Sequence, residues 1–256
     1  EKGAVLFGSS DGFVYCVRAA DGVLAWRFRA APEERRIGAF GQLESPWPVS
    51  GSVLVREGLA YAVAGRSSHL DGGLRIVALD VATGELRHQR RLEGPEVEVA
   101  EMAQNFGLPQ GTLADILVAV GDRIAMRSEI LSPALEPLGG KPEVEAPAGY
   151  LDDTYFKRTP WKAGGEYGRL LVRDRTSAYY VRMFDSLKGL DPTVYFTPGA
   201  KGYLLFAKNM EGKRNSWMER VPVRIRAMAL AQGSLVVAGP PDAVDPKDPL
   251  GAFEGR

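Results

Sequence analysis

A recurrence constrains this chain more than any other feature. Short apolar runs keep ending in turn-forming residues. Residues 4–7 and 13–17 flank Ser9-Ser10-Asp11-Gly12, and Ala20-Asp21-Gly22 leads into the run 23–28. In the second run Phe13, Tyr15 and Val17 alternate with Val14 and Cys16, the period of a strand with one packed face. Aspartate and glycine tolerate positive φ, so these breaks predict tight hairpins. The first 28 residues therefore read as three antiparallel strands. The pattern returns at 52–55 and 59–64 around Glu57-Gly58, and at 74–79 and 85–92 around a turn at 80–84, with a polar insertion at 65–73. That is a four-strand meander of about 40 residues. Further pairs fall at 116–120 and 123–126, 170–172 and 178–181, and 225–230 and 234–238. One segment, 97–106, predicts a short helix ended at Gly107.

A lone four-stranded sheet cannot bury both of its faces. Sheets stacked around an axis can. The expected fold is all-β, a β-propeller of four-stranded antiparallel blades, with residues 1–256 as a single domain. A β-sandwich is the competitor, and the repeated unit favours the propeller. The repeat count predicts partial blades at both ends, so that the chain forms part of a larger propeller.

Thirty glycines and seventeen prolines fit the turns such blades need. They do not signal disorder, because 45% of residues are hydrophobic and the charges are mixed. Lysine plus arginine equals aspartate plus glutamate at 32 each. That balance argues against a general nucleic-acid binder and against a polybasic membrane anchor. No run approaches the ~18 apolar residues of a membrane span. Cys16 is the only cysteine, which excludes an intramolecular disulfide and a cysteine-cluster zinc site.

Two segments carry a more specific signature. The first runs from Gly8-Ser9-Ser10-Asp11-Gly12 through Ala20-Asp21-Gly22 to Trp26. The second runs from Leu74 through Ala78-Leu79-Asp80-Val81-Ala82-Thr83-Gly84 to His88. Both resemble the repeat of the pyrroloquinoline-quinone-like (quinoprotein) β-propellers, with a strand, an A-x-D-x-x-T-G turn and a strand opening toward tryptophan. The aspartate caps the turn, the glycine takes positive φ, and the tryptophan fills the gap between blades. Trp26 fits, whereas His88 stands where the second copy would have tryptophan. The resemblance implies a bacterial, extracytoplasmic location, periplasmic or extracellular. It implies two kinds of function: a non-catalytic scaffold for a protein, peptide or glycan partner, or an oxidoreductase with pyrroloquinoline quinone and calcium. A propeller-type carbohydrate-processing enzyme, with His69 as acid or base, is a third reading.

Candidate ligand-binding residues cluster around the insertion. Arg66 can clamp a carboxylate or phosphate, and His69 and Asp71 can form a hydrogen-bonding pair. Glu44 and Trp47 lie in the segment leading into the same blade and can approach them. Asp152, Arg158 and Trp161 form a similar polar-aromatic group later in the chain. The blander reading is an Arg66–Asp71 salt bridge that stitches blades together. Tryptophan stacking under a quinone would fall to Trp47 or Trp161, with core packing as the alternative role. His69 and His88 are the only histidines and lack metal-ligand spacing, and no nucleophile elbow or phosphate loop occurs. No catalytic or metal-ligating residue is assigned. Arg35-Arg36 and Arg90-Arg91 read as solvated or ion-paired surface, and residues 240–249 as an ordered long loop or tether.

Overall fold

A computed structural model describes residues 3–39, 41–94, 112–145, 161–182, 202–212, 214–243, 245–248 and 251. The expected helix at 97–106 lies outside the described residues. The chain divides into two compact units, Glu1–Asp153 and Thr154–Arg256.

In the first unit, β1 (Ala4–Gly8), β2 (Phe13–Arg18) and β3 (Leu24–Arg29) form an antiparallel sheet in sequence order. The β1–β2 turn is held by Asp11, which accepts bonds from the Phe13 amide at 3.0 Å and the Tyr15 hydroxyl at 2.6 Å. Burial alone would raise the Asp11 pKa, but these bonds outweigh it and hold the carboxyl below its usual range. A short ribbon follows, β4 (Ile37–Ala39) and β5 (Gln42–Glu44), which the apolar pattern did not predict. Next come β6 (Leu54–Arg56), β7 (Leu59–Ala64), β8 (Leu74–Asp80) and β9 (Leu86–Leu92), a four-stranded antiparallel meander. A third sheet contains β10 (Val118–Val120), β11 (Arg123–Met126) and β12 (Glu129–Leu131), with β13 (Val144–Glu145) beside it.

Strand alternation explains how these sheets stack. On β7 and β8, Ala60, Ala62, Ala64, Val77 and Leu79 pack with Leu6, Val14, Trp26 and Phe28 of the first sheet. Their neighbours Tyr61, Val63, Leu74, Ile76 and Ala78 pack with Ile124, Met126 and Leu131 of the third. The middle sheet is thus covered on both faces, which is why its two central strands are nearly uniformly apolar. Small side chains on one face of β7 let the first sheet approach closely. Trp26 completes that contact: its indole Nε1 donates to the Val81 carbonyl at 3.0 Å. Its ring lies against Gly84, at φ +74°, where a Cβ would sit 2.6 Å from the ring. Gly84 follows the Asp80 turn, whose Oδ1 accepts from the Ala82 and Thr83 amides at 2.9 and 3.1 Å.

In the second unit, β14 (Trp161–Ala163) and β15 (Glu166–Gly168) form a hairpin. A second four-stranded meander contains β16 (Leu170–Arg173), β17 (Ser177–Arg182), β18 (Tyr203–Asn209) and β19 (Asn215–Val221). A last hairpin pairs β20 (Ala227–Ala231) with β21 (Ser234–Ala238). The meander again uses both faces. Tyr180 stacks on Phe206 at 4.9 Å and donates to the Ala163 carbonyl at 2.7 Å, and burial pushes its pKa up to about 12. On the other face Val181, Tyr203 and Leu205 pack with Met228, Leu235 and Val237. Arg224, 4% exposed, pairs with the fully buried Asp242 at 3.3 Å. That pair ties Asp242, after β21, to the segment before β20. The described chain is all-β, and in each unit a four-stranded meander lies face to face with neighbouring sheets, the arrangement of β-propeller blades.

Candidate functional site

The site grows from the insertion between β7 and β8. Its first half is sewn into the fold by backbone bonds. Ser67 bridges to Leu113, and the Ser68 and Thr112 amides bond to the Thr112 carbonyl and Ser68 Oγ, each at 2.8 Å. The Gly94 amide donates to the Ser68 carbonyl at 2.7 Å. Its second half is Asp71-Gly72-Gly73, three successive residues with positive φ (+52°, +79° and +93°). Only glycine fits at position 73, because a Cβ there would lie 2.3 Å from the Leu92 carbonyl oxygen. This close approach sets the loop against β9, where Arg91 Nε donates to the Gly72 carbonyl at 2.6 Å.

Side chains from the 33–47 segment fix the loop from the opposite side. Glu44, at the end of β5, forms an ion pair with Arg66, both half-buried. Arg35 pairs with Asp71 and lies over the Trp47 ring, 4.8 Å from its centroid. Trp47, 5% exposed, donates from Nε1 to the Asp71 carbonyl at 2.8 Å. The expected proximity of Glu44 and Trp47 to the insertion is therefore present. The partners differ from expectation. Arg66 bonds to Glu44 rather than to Asp71, and the Asp71 carboxylate turns to Arg35 rather than to His69. His69 is exposed and its ring packs over Gly94, where a Cβ would lie 2.3 Å from Cε1.

The ties leave a cleft of about 750 Å³ between the segment and the sheet. Pro32, Glu33 and Trp47 line one wall, and Asp71 and Gly72 the floor of the loop. Arg75, Gln89, Arg90 and Arg91 on β8 and β9 line the other. Arg35, Arg75, Gln89 and Arg91 were not among the sequence candidates. Arg75 and Arg91 are directly opposed across the two strands.

Asp152 and Arg158 lie outside the described residues. Trp161 belongs to the second unit and stands half-buried at the start of strand β14, not in a loop. Among the described residues, no three His, Cys, Asp or Glu side chains are grouped so as to hold a metal ion. No helix among them is long and apolar enough to cross a membrane.

No family model matches this chain, and no curated protein matches it significantly. Solved structures do. BamB from Moraxella catarrhalis is 12% identical, with 94% of this chain covering 53% of that one at a TM-score of 0.40. The quinohemoprotein alcohol dehydrogenase ADHIIG from Pseudomonas putida HK5 is 14% identical, with 92% covering 29% at 0.30. A europium-containing methanol dehydrogenase is 13% identical, with 93% covering 36% at 0.30. The chain thus spans about half the length of BamB and about a third of the dehydrogenases. The blade assignment itself comes from the sheet register and the packing described above.

Proposed function

We propose that this chain is a non-catalytic binding module, outside the cytoplasm, that engages a protein, peptide or glycan through the cleft beside residues 65–73. One observation carries this reading. Every polar anchor of the insertion is already engaged by the protein itself, so the cleft is held open in one shape before any ligand arrives. Preorganisation of that kind lowers the ordering cost of binding. Loops on rigid sheets are where such sites commonly sit. The BamB and quinoprotein dehydrogenase neighbours accord with an extracytoplasmic location by resemblance.

Trp47 is not placed as a stacking platform for pyrroloquinoline quinone. The Trp47 ring carries Arg35 over it and its indole nitrogen is bonded to Asp71, so it offers no open face for stacking. Nor do carboxylates converge there as a hard cation would require.

The test is a display selection of random short peptides on the folded chain, run beside melting curves with quinone and calcium. The reading predicts enriched peptides that lose affinity when residues 66–73 are replaced by a two-residue glycine turn, with the melting temperature unmoved by quinone. No enrichment, together with a saturable quinone shift of several degrees, contradicts it.

A further inference from the structure

The charge pattern of the cleft identifies its ligand more narrowly. Resting on the binding-module reading, we infer that the cleft takes an acidic peptide segment of a partner protein, its carboxylates held by Arg75 and Arg91. Like charges directly opposite in a sheet are unfavourable unless something neutralises them. Arg75 and Arg91 are such a pair. Around them, the chain's own carboxylates are committed elsewhere. Asp71 goes to Arg35 and Glu44 to Arg66, while Glu93 reaches Arg91 Nη2 at 2.5 Å and leaves Arg75 without a carboxylate among the described residues. The only side-chain partner of Arg75 among the described residues is the neutral Gln89 amide, at 3.1 Å. Arg75 therefore faces Arg91 across the strands with only a neutral side-chain partner of its own.

Carboxylates suit this pair better than a dense polyanion does. Guanidinium groups match carboxylates with two parallel bonds. The rim also carries Glu33 and Asp71, which repel closely spaced sulfates or phosphates. Carboxylates spaced along a peptide can reach the two arginines while passing those acids. A volume of about 750 Å³ suits a few residues of such a segment.

The experiment is fluorescence anisotropy on the full chain with a labelled hexaglutamate peptide. Hexaglutamine serves as the neutral control and a heparin hexasaccharide as the polyanion control. Hexaglutamate should bind saturably and weaken as salt rises. Arg75→Gln and Arg91→Gln should each lower its affinity about tenfold, roughly one charge-assisted contact. Arg29→Gln, on the separate sheet of β1–β3, should leave it unchanged. Arg75→Lys keeps the charge but loses the bidentate fit, and should fall between wild type and Arg75→Gln. Circular dichroism confirms each variant's fold, and Arg75→Lys supplies the readout if a glutamine variant is unstable. Absence of hexaglutamate binding overturns the inference, as does unchanged affinity in Arg75→Gln. Equal binding of hexaglutamine, or tighter binding of the hexasaccharide, overturns it too but leaves the binding-module reading standing. That reading fails on its own terms, through the quinone shift and the peptide selection above.

Discussion

Two glycines in matching turns allow the stacking of the first two sheets to be measured. Gly22 and Gly84 both stand at φ +74° after a turn aspartate. Alanine at either position meets the same backbone penalty, about 1–2 kcal/mol for a non-glycine residue in the left-handed region. Their surroundings differ. A Cβ on Gly22 meets nothing within 4 Å, whereas on Gly84 it would lie 2.6, 2.8 and 2.9 Å from Trp26 Cδ2, Cε3 and Cγ. The Trp26 ring cannot swing away without breaking its bond to Val81. Forced overpacking of this kind costs about 1–3 kcal/mol more. Gly22→Ala should therefore cost about 1–2 kcal/mol, and Gly84→Ala about 2–5. In a Trp26→Ala background the clash disappears, and Gly84→Ala should drop to the Gly22→Ala value. The coupling in that cycle should be about 1–3 kcal/mol. Urea unfolding followed by circular dichroism gives each value from the midpoint at constant slope. Equal costs at the two glycines would refute the contact between sheets, and so would an excess at Gly84 that survives removal of Trp26.

Three further outcomes follow from local geometry. Glu44→Gln and Arg66→Gln should each destabilise, with a coupling of about 1 kcal/mol in a double-mutant cycle that shrinks in high salt, because the pair is only half-buried. The Asp11 carboxyl is held below its unfolded pKa, so its contribution is present above that value and is lost as pH falls through the folded one. Asp11→Asn should accordingly be less stable than wild type at pH 6, the gap closing at acid pH, as denaturation at a series of pH values would show. Tyr180→Phe should cost about 1–2 kcal/mol, since it leaves the buried Ala163 carbonyl without its donor. Thermal unfolding of that variant checks it.

Much of the fold was legible because turns announce themselves. The turns at 9–12, 20–22, 57–58, 80–84 and 121–122 mark the ends of β1, β2, β6, β8 and β10 to within about two residues, the usual uncertainty of element ends. Trp26 was readable as the filler between sheets, since a tryptophan after such a turn has one place to go. His88, in the matching place, stays exposed on β9 instead. The segments that were missed lack a period. The run 203–207 of β18 is unbroken because both faces are covered, and β19 is mostly charged or polar because its side chains are largely exposed. The site was half legible. Its loop, with Glu44, Trp47, Arg66 and Asp71, was found from an insertion that interrupts a tight hairpin. Its arginine wall was not, because the opposition of Arg75 and Arg91 depends on a register shift between Ala78 and Leu79. Counting outward from the turn without that bulge misplaces the pair by one residue and sends Arg91 to the other face. The choice of ion-pair partners was equally hidden, since Arg35 and Asp71, and Glu44 and Arg66, are far apart in sequence.

The central claim is that Trp26 locks two sheets together while Trp47 locks the insertion beside them. Hydrogen exchange of the indole Nε1 protons, read residue by residue by NMR, tests both locks at once. Trp26 and Trp47 donate to the Val81 and Asp71 carbonyls, whereas Trp217 is 40% exposed. The account predicts slow exchange at Trp26 and Trp47, slower than at Trp217 by about a hundredfold or more, as expected when opening the contact costs about 3 kcal/mol. Exchange at Trp26 or Trp47 as fast as at Trp217 would contradict it.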